Sequence, residues 1–254
     1  MPEYALATKY PEYVDKAIDA LKTRPEGEIN LRRIVRELTR GAQDFKKDSY
    51  QRLVLEGFTL AIEGKVDQSR GKFKAAVARG GGVPVALQMM RMLELVSEYV
   101  EAFSIIKEQW GAILHSPELY RVAWSALCRM GYLLSAHTLT KQVSKTGIAT
   151  EAFDNERMTL LFAKEIDEIE LARVVGYIND HLQKKRLPAQ GHRINLVEIE
   201  EGRVLLMYEF LCQLSPEASV ELEAEIIKGV LAKKFPVMET RAAIFVINPC
   251  EDVL

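Results

Sequence analysis

Three stretches of this chain lie on one another without a gap: LVLEGFTLAIEGKVDQSRGKFKAA at 53–76, ALQMMRMLELVSEYVEAFSIIKEQ at 86–109 and YRVAWSALCRMGYLLSAHTLTKQV at 120–143. Leu60, Leu93 and Leu127 recur at spacings of 33 and 34 residues, as do Ser69, Ala102 and Ala136, and a small residue recurs at Gly64, Ser97 and Gly131. A unit of that length cannot bury an apolar face by itself, so repetition at this period commits the chain to helix pairs that pack on their neighbours. Apolar residues three and four apart, as in Val14, Ile18, Leu21 and Leu31, Ile34, Val35, Leu38, extend the helical reading from Tyr10 to about Lys185. Turn chemistry predicts breaks at TRPEGE (23–28), RGGGVP (79–84), HSPE (115–118) and KTG (145–147).

A helix-turn-helix unit of about 34 residues with small residues at fixed contacts resembles the tetratricopeptide repeat. Gly57, Leu60, Ser69, Phe73 and Ala76 form the best copy, and the likeness covers about residues 50–147. Glu56 stands where the motif prefers leucine, Met90 and Trp124 replace the small residue matched by Gly57, and Thr140 replaces the aromatic matched by Phe73. The resemblance implies a mostly α fold, an α-solenoid of antiparallel helix pairs, whose first helices line a concave surface that holds a peptide or extended partner segment. Carried onto this chain, the exposed positions there are Phe58, Arg91, Glu94, Arg121 and Ser125. Arg91 and Arg121 beside Phe58 suit a ligand with both a carboxylate and an apolar side chain; the alternative is that these residues pack on neighbouring helices.

From Ile194 onward the pattern changes. INLVEI and RVLLMYEFL, rich in branched and aromatic residues and joined through EEG, predict a hairpin, and RAAIFVI a further strand. Between them, Ser215 as N-cap and Pro216 at the first helical position open a helix predicted to bury Val220, Ala224, Ile227 and Leu231. The expectation is a small C-terminal α+β module of β-β-α-β order with an antiparallel sheet. It spans 193–254, follows a helical repeat domain at 1–185 across the linker KKRLPAQGHR, and docks near Leu171 and Val175 or self-associates.

Gly80, Gly81 and Gly82 suggest a phosphate-binding loop, but no strand precedes them and no G-x-x-x-x-G-K-[ST] follows, so they read as a hinge between helices. In INLRRIVRELTR the buried stripe Leu31, Ile34, Val35, Leu38 leaves Arg32, Arg36 and Arg40 on another face, with Arg33 beside them and only Glu37 of opposite sign. That face predicts an anion or acidic-partner surface, or contacts to a nucleic-acid backbone.

Lys and Arg total 34 against 36 Asp and Glu, which favours neither a nucleic-acid protein nor an acidic one as a whole. Three scattered cysteines form no C-x-x-C pair, and four dispersed histidines form no metal-binding pattern. With no G-x-S-x-G, no leader-like start and no long apolar run, the expectation is a cytoplasmic, non-enzymatic adaptor or regulatory protein without cofactor, metal or membrane span. Its partner is a protein or peptide. The alternative is a nucleic-acid-associated regulator acting through the arginine-rich helix at 31–40; homo-oligomers fit either reading.

Overall fold

The computed structural model describes residues 3–23, 28–148, 166–185, 187, 189, 191–199, 203–235 and 243–249. The helices are α1 (Glu3–Thr23), α2 (Glu28–Gln43), α3 (Tyr50–Ile62), α4 (Val66–Ala76), α5 (Gly82–Leu95), α6 (Tyr99–Glu108), a single turn α7 (Trp110–Ile113), α8 (Pro117–Met130), α9 (Leu133–Val143) and α10 (Glu168–Lys184). Then follow β1 (Gly191–Ile199), β2 (Arg203–Cys212), α11 (Pro216–Ala232) and β3 (Ala243–Pro249). The chain is mostly helical, with a small three-stranded sheet near its C-terminus. It divides into two compact units, 1–113 and 114–254, so that the β-β-α-β segment shares a unit with α8, α9 and α10 and the expected linker lies inside that unit.

The repeat period is visible in the helices. Three pairs, α3–α4, α5–α6 and α8–α9, begin at Tyr50, Gly82 and Pro117. Each pair turns in the same way. Gly64, Ser97 and Gly131 have φ of +79°, +65° and +85°. The next amide donates back to the recurring leucine carbonyl, Lys65 to Leu60 at 2.8 Å, Glu98 to Leu93 at 2.8 Å and Tyr132 to Leu127 at 2.9 Å. Together with the bonds of smaller sequence span from Gly64 to Ala61, Ser97 to Glu94 and Gly131 to Cys128, this is the left-handed helix stop that satisfies the last orphan carbonyls. Lys65, Glu98 and Tyr132 then open the second helix, each with ψ near 60°.

In the first unit, α3 is enclosed by α1, α2 and α4. Leu55, Phe58, Phe73, Met90, Leu93 and Ile106 are fully buried, and Phe58 meets Phe73 edge-on at 5.1 Å. Helix α1 starts earlier than expected and continues through Pro11, which removes one main-chain donor. Tertiary packing offsets that loss: the Tyr10 ring lies 5.9 Å from Phe45 and 6.2 Å from Tyr50, and its hydroxyl donates to Gln88 on α5 at 2.9 Å.

The glycine hinge joins α4 to α5. Gly80 has φ +93° and ψ 9°, and Gly82 has φ +56° and ψ −152°, a region that only glycine enters without strain. Gly82→Ala should therefore cost about 2 kcal/mol and Gly80→Ala about 1 kcal/mol, since the latter sits in a left-handed region with open space around it. Urea unfolding of both variants checks this; equal losses, or none, would remove the backbone explanation of the glycines.

In the second unit, β1 pairs antiparallel with β2, Ile194 opposite Tyr208, whereas β3 runs parallel to β2. The expected all-antiparallel sheet is thus corrected to a mixed one. Helix α11 carries the chain back between β2 and β3, so the last strand enters from the same end as β2. One sheet face buries Leu206, Tyr208, Phe210 and Cys212, and the Tyr208 hydroxyl donates to the Cys128 carbonyl of α8 at 2.5 Å. Leu171 and Val175, the expected docking neighbourhood, are fully buried. On the opposite face Glu209, only 6% exposed, accepts from Asn195 at 2.7 Å and from Asn248, so both flanking strands satisfy its carboxylate.

The expected inner stripe of α11 is also corrected. Val220 is 70% and Leu231 58% exposed, whereas Ser219, Leu222, Ile226 and Val230 are buried. The helix carries two apolar stripes, and periodicity alone cannot choose between them. Polar contacts choose: Glu223 accepts the Ile247 amide at the free edge of β3 at 2.9 Å, and Glu225 pairs with Lys185 beyond α10 at 2.6 Å.

Candidate functional site

Helix α2 presents the arginine face. Leu38 and Ala42 are buried against the first unit's core, and Arg32, Arg33, Arg36 and Arg40 are all exposed. Glu37, the only acid among them, is held by Lys16 of α1. Arg33, Arg36 and Arg40 make no ion pair among the described residues. Ile29, 85% exposed, lies on the same side of the helix as Arg36 and Arg40. The result is a stripe of guanidinium groups headed by one apolar side chain, with its internal counter-charge removed. Such a stripe attracts carboxylates or phosphates, and each guanidinium can grip one through two hydrogen bonds.

The five expected groove positions fare differently. Phe58 is not a surface residue: it has 0% exposure and meets Phe73 of α4 edge-on, in a helix packed by α1, α2 and α4. Arg91 pairs with Glu94 at 2.6 Å, and that glutamate is 6% exposed, so the two neutralise each other within α5. Phe58, Arg91 and Glu94 belong to the first unit, Arg121 and Ser125 to the second. Ser125 is half-buried and accepts a hydrogen bond from Arg129, whereas Arg121 is exposed beside Val122, itself 44% exposed. Of the five, Arg121 alone offers an exposed charge.

Charges elsewhere in the repeats tie helices together. Glu56 accepts from Arg52 at 2.9 Å and from Lys72 of α4 at 2.6 Å. Burial by itself would raise the Glu56 carboxyl, but the bonds from Lys72 and Arg52 outweigh it and hold the group below its ordinary value. Arg70 of α4 reaches Glu101 at 2.6 Å and Glu98 at 3.4 Å, joining one pair to the next. In the second unit Glu168 accepts from the amide and hydroxyl of Ser135 at 2.9 and 2.8 Å, placing a carboxylate over the N-terminus of α9.

Among the described residues no three His, Cys, Asp or Glu side chains gather as a metal site, and no helix is long and apolar enough to cross a membrane. Cys128 and Cys212 are buried thiols that form no disulfide among the described residues. His137 is buried, and that burial, with Lys141 one turn on, pushes its pKa below the ordinary value. No protein-family model, curated protein or solved structure matches this chain.

One feature of these surfaces has no trace in the sequence. The Lys16–Glu37 pair joins helices 21 residues apart and has no local signature.

Proposed function

We propose that this chain is a non-enzymatic adaptor or regulatory protein of helical-repeat type, its helix pairs arranged as an α-solenoid, that binds a protein partner through an acidic segment. The helix pair repeated three times with one turn geometry supports the repeat reading, since such units exist to extend a surface. The exposed arginines of α2 direct the surface towards acid, and Ile29 adds an apolar anchor at one end. A nucleic-acid backbone is the second reading, favoured by the same exposed arginines. It is the weaker of the two, because no aromatic stacking platform accompanies them.

Fluorescence anisotropy with a labelled poly-glutamate peptide and a labelled DNA duplex separates the two. The peptide should bind at low salt and lose most of its affinity in Arg36→Ala/Arg40→Ala, with the unfolding midpoint unchanged because both positions are exposed. The duplex should bind weakly or not at all. If the arginines instead neutralise about four phosphates, the duplex will show a salt slope of about −3.6 that flattens by about two units in the variant. Binding of neither probe would sink both readings of this face.

A further inference from the structure

Helix α11 exposes an apolar stripe that its own unit does not use. Val220 is 70%, Leu231 58% and Ile227 37% exposed, with Ala224 exposed among them. Their spacing of four, three and four residues places them on one side of the helix, opposite its contacts with β3 and α10. Beside the stripe stand Glu221 towards the N-terminus and Lys228 one heptad later, both exposed and neither in an ion pair among the described residues. We propose that α11 pairs antiparallel with α11 of a second copy of this chain, forming a two-fold dimer.

The order of charges selects this occupant. An antiparallel two-fold pairing sets Val220 against the partner's Leu231 and Ala224 against the partner's Ile227, a large residue facing a small one at the centre. The same register brings Glu221 to the partner's Lys228 and Lys228 to the partner's Glu221, so one attraction occurs twice by symmetry. Glu217 in the first turn lies nearest the partner's Lys234 just past the helix end, adding the same sense of charge. In a parallel pairing Glu221 falls beside the partner's Pro216 and its charge is unused.

A single helix pair covers less than the roughly 1,200 Å² of most specific complexes, so the dimer is weak, with Kd on the order of 10–100 μM. The dimer itself does not depend on what the α2 arginines bind.

Sedimentation velocity over rising protein concentration should show a reversible monomer–dimer equilibrium, abolished by Ile227→Glu. Glu221→Lys and Lys228→Glu should each weaken self-association about tenfold, since two attractive pairs become repulsive. Mixed in equal amounts, these two variants should associate again at wild-type strength, because each then supplies the charges the other lacks. Restored association also shows that both variants are folded. A wild-type protein that stays monomeric throughout, or a mixture no stronger than its components, overturns the proposal; dimerisation unaffected by Ile227→Glu assigns it to another surface and overturns it equally.

Discussion

Phe73→Ala should cost about 3–5 kcal/mol, among the largest losses a single truncation can produce in the first unit. The ring is fully buried, meets Phe58 edge-on and lies against Gly57, where an added methyl would stand 2.9 Å from two ring atoms. Gly57→Ala should therefore destabilise as well, by about 1–3 kcal/mol, because the interior has little free volume to yield. The two changes are coupled. In a Phe73→Ile background, Gly57→Ala should cost less than in the wild type, with an interaction energy on the order of 1 kcal/mol in a double-mutant cycle. Equilibrium unfolding of the four proteins checks the pair, and additive losses would mean that this contact does not set the spacing of α3 and α4.

The cycle has a natural counterpart in the other copies. At the position of Gly57 the second and third pairs carry Met90 and Trp124, and at that of Phe73 they carry Ile106 and Thr140. As the first residue grows from Gly to Met to Trp, the second shrinks from Phe to Ile to Thr, a change in the compensating direction. In the third copy the hydroxyl of Tyr120 also lies 3.1 Å from that of Thr140, satisfying a polar group in a buried place. Glu56, at a position the motif gives to leucine, is held from both sides by Arg52 and Lys72. Each exception is a local exchange rather than a failure of the pattern.

What was legible in the sequence is what depends on near neighbours. The helix pairs, their turns, the N-cap Ser215 and the glycine hinge rest on residues within one turn of each other; Ser215, for example, accepts the amide of Ala218 at 3.3 Å. The burial of Phe58, edge-on against Phe73 of α4, depends on contacts between helices, and no spacing within α3 encodes that. The direction of β3 depends on the path of α11 across the sheet. The rotation of α11 was set by Glu223 and Glu225 reaching a strand edge and a lysine 24 and 40 residues away. Of the candidate surface, the arginine face could be read because exposure follows from the apolar stripe opposite it, although only Leu38 of that stripe is buried and Leu31, Ile34 and Val35 are half-buried. The loss of Glu37 to Lys16 could not, since it is a contact between helices.

Gly131 offers a measurement of how firmly α10 is seated on α8. Gly64 and Gly131 occupy equivalent turns with φ of +79° and +85°, yet a methyl group at Gly64 would meet nothing within 4 Å, whereas one at Gly131 would stand 3.0 Å from Val175 Cγ2 and 3.1 Å from the Ala172 Cα. Gly64→Ala should therefore pay only for the left-handed backbone, about 1 kcal/mol. Gly131→Ala adds a collision with the main chain of α10, which cannot rotate away as a side-chain tip can, and should cost about 3 kcal/mol in the second unit. Ser97 completes the series from the other side: at φ +65° it bears the strain already, with its buried hydroxyl lacking a hydrogen-bond partner, so Ser97→Gly should stabilise the first unit by about 1 kcal/mol. Unfolding followed by probes in each unit distinguishes the three. A loss at Gly131 no greater than at Gly64 would mean that α10 can lift from α8 at little cost, and Tyr208, anchored to the Cys128 carbonyl three residues from the same turn, would then be the main tie between the sheet and its helices.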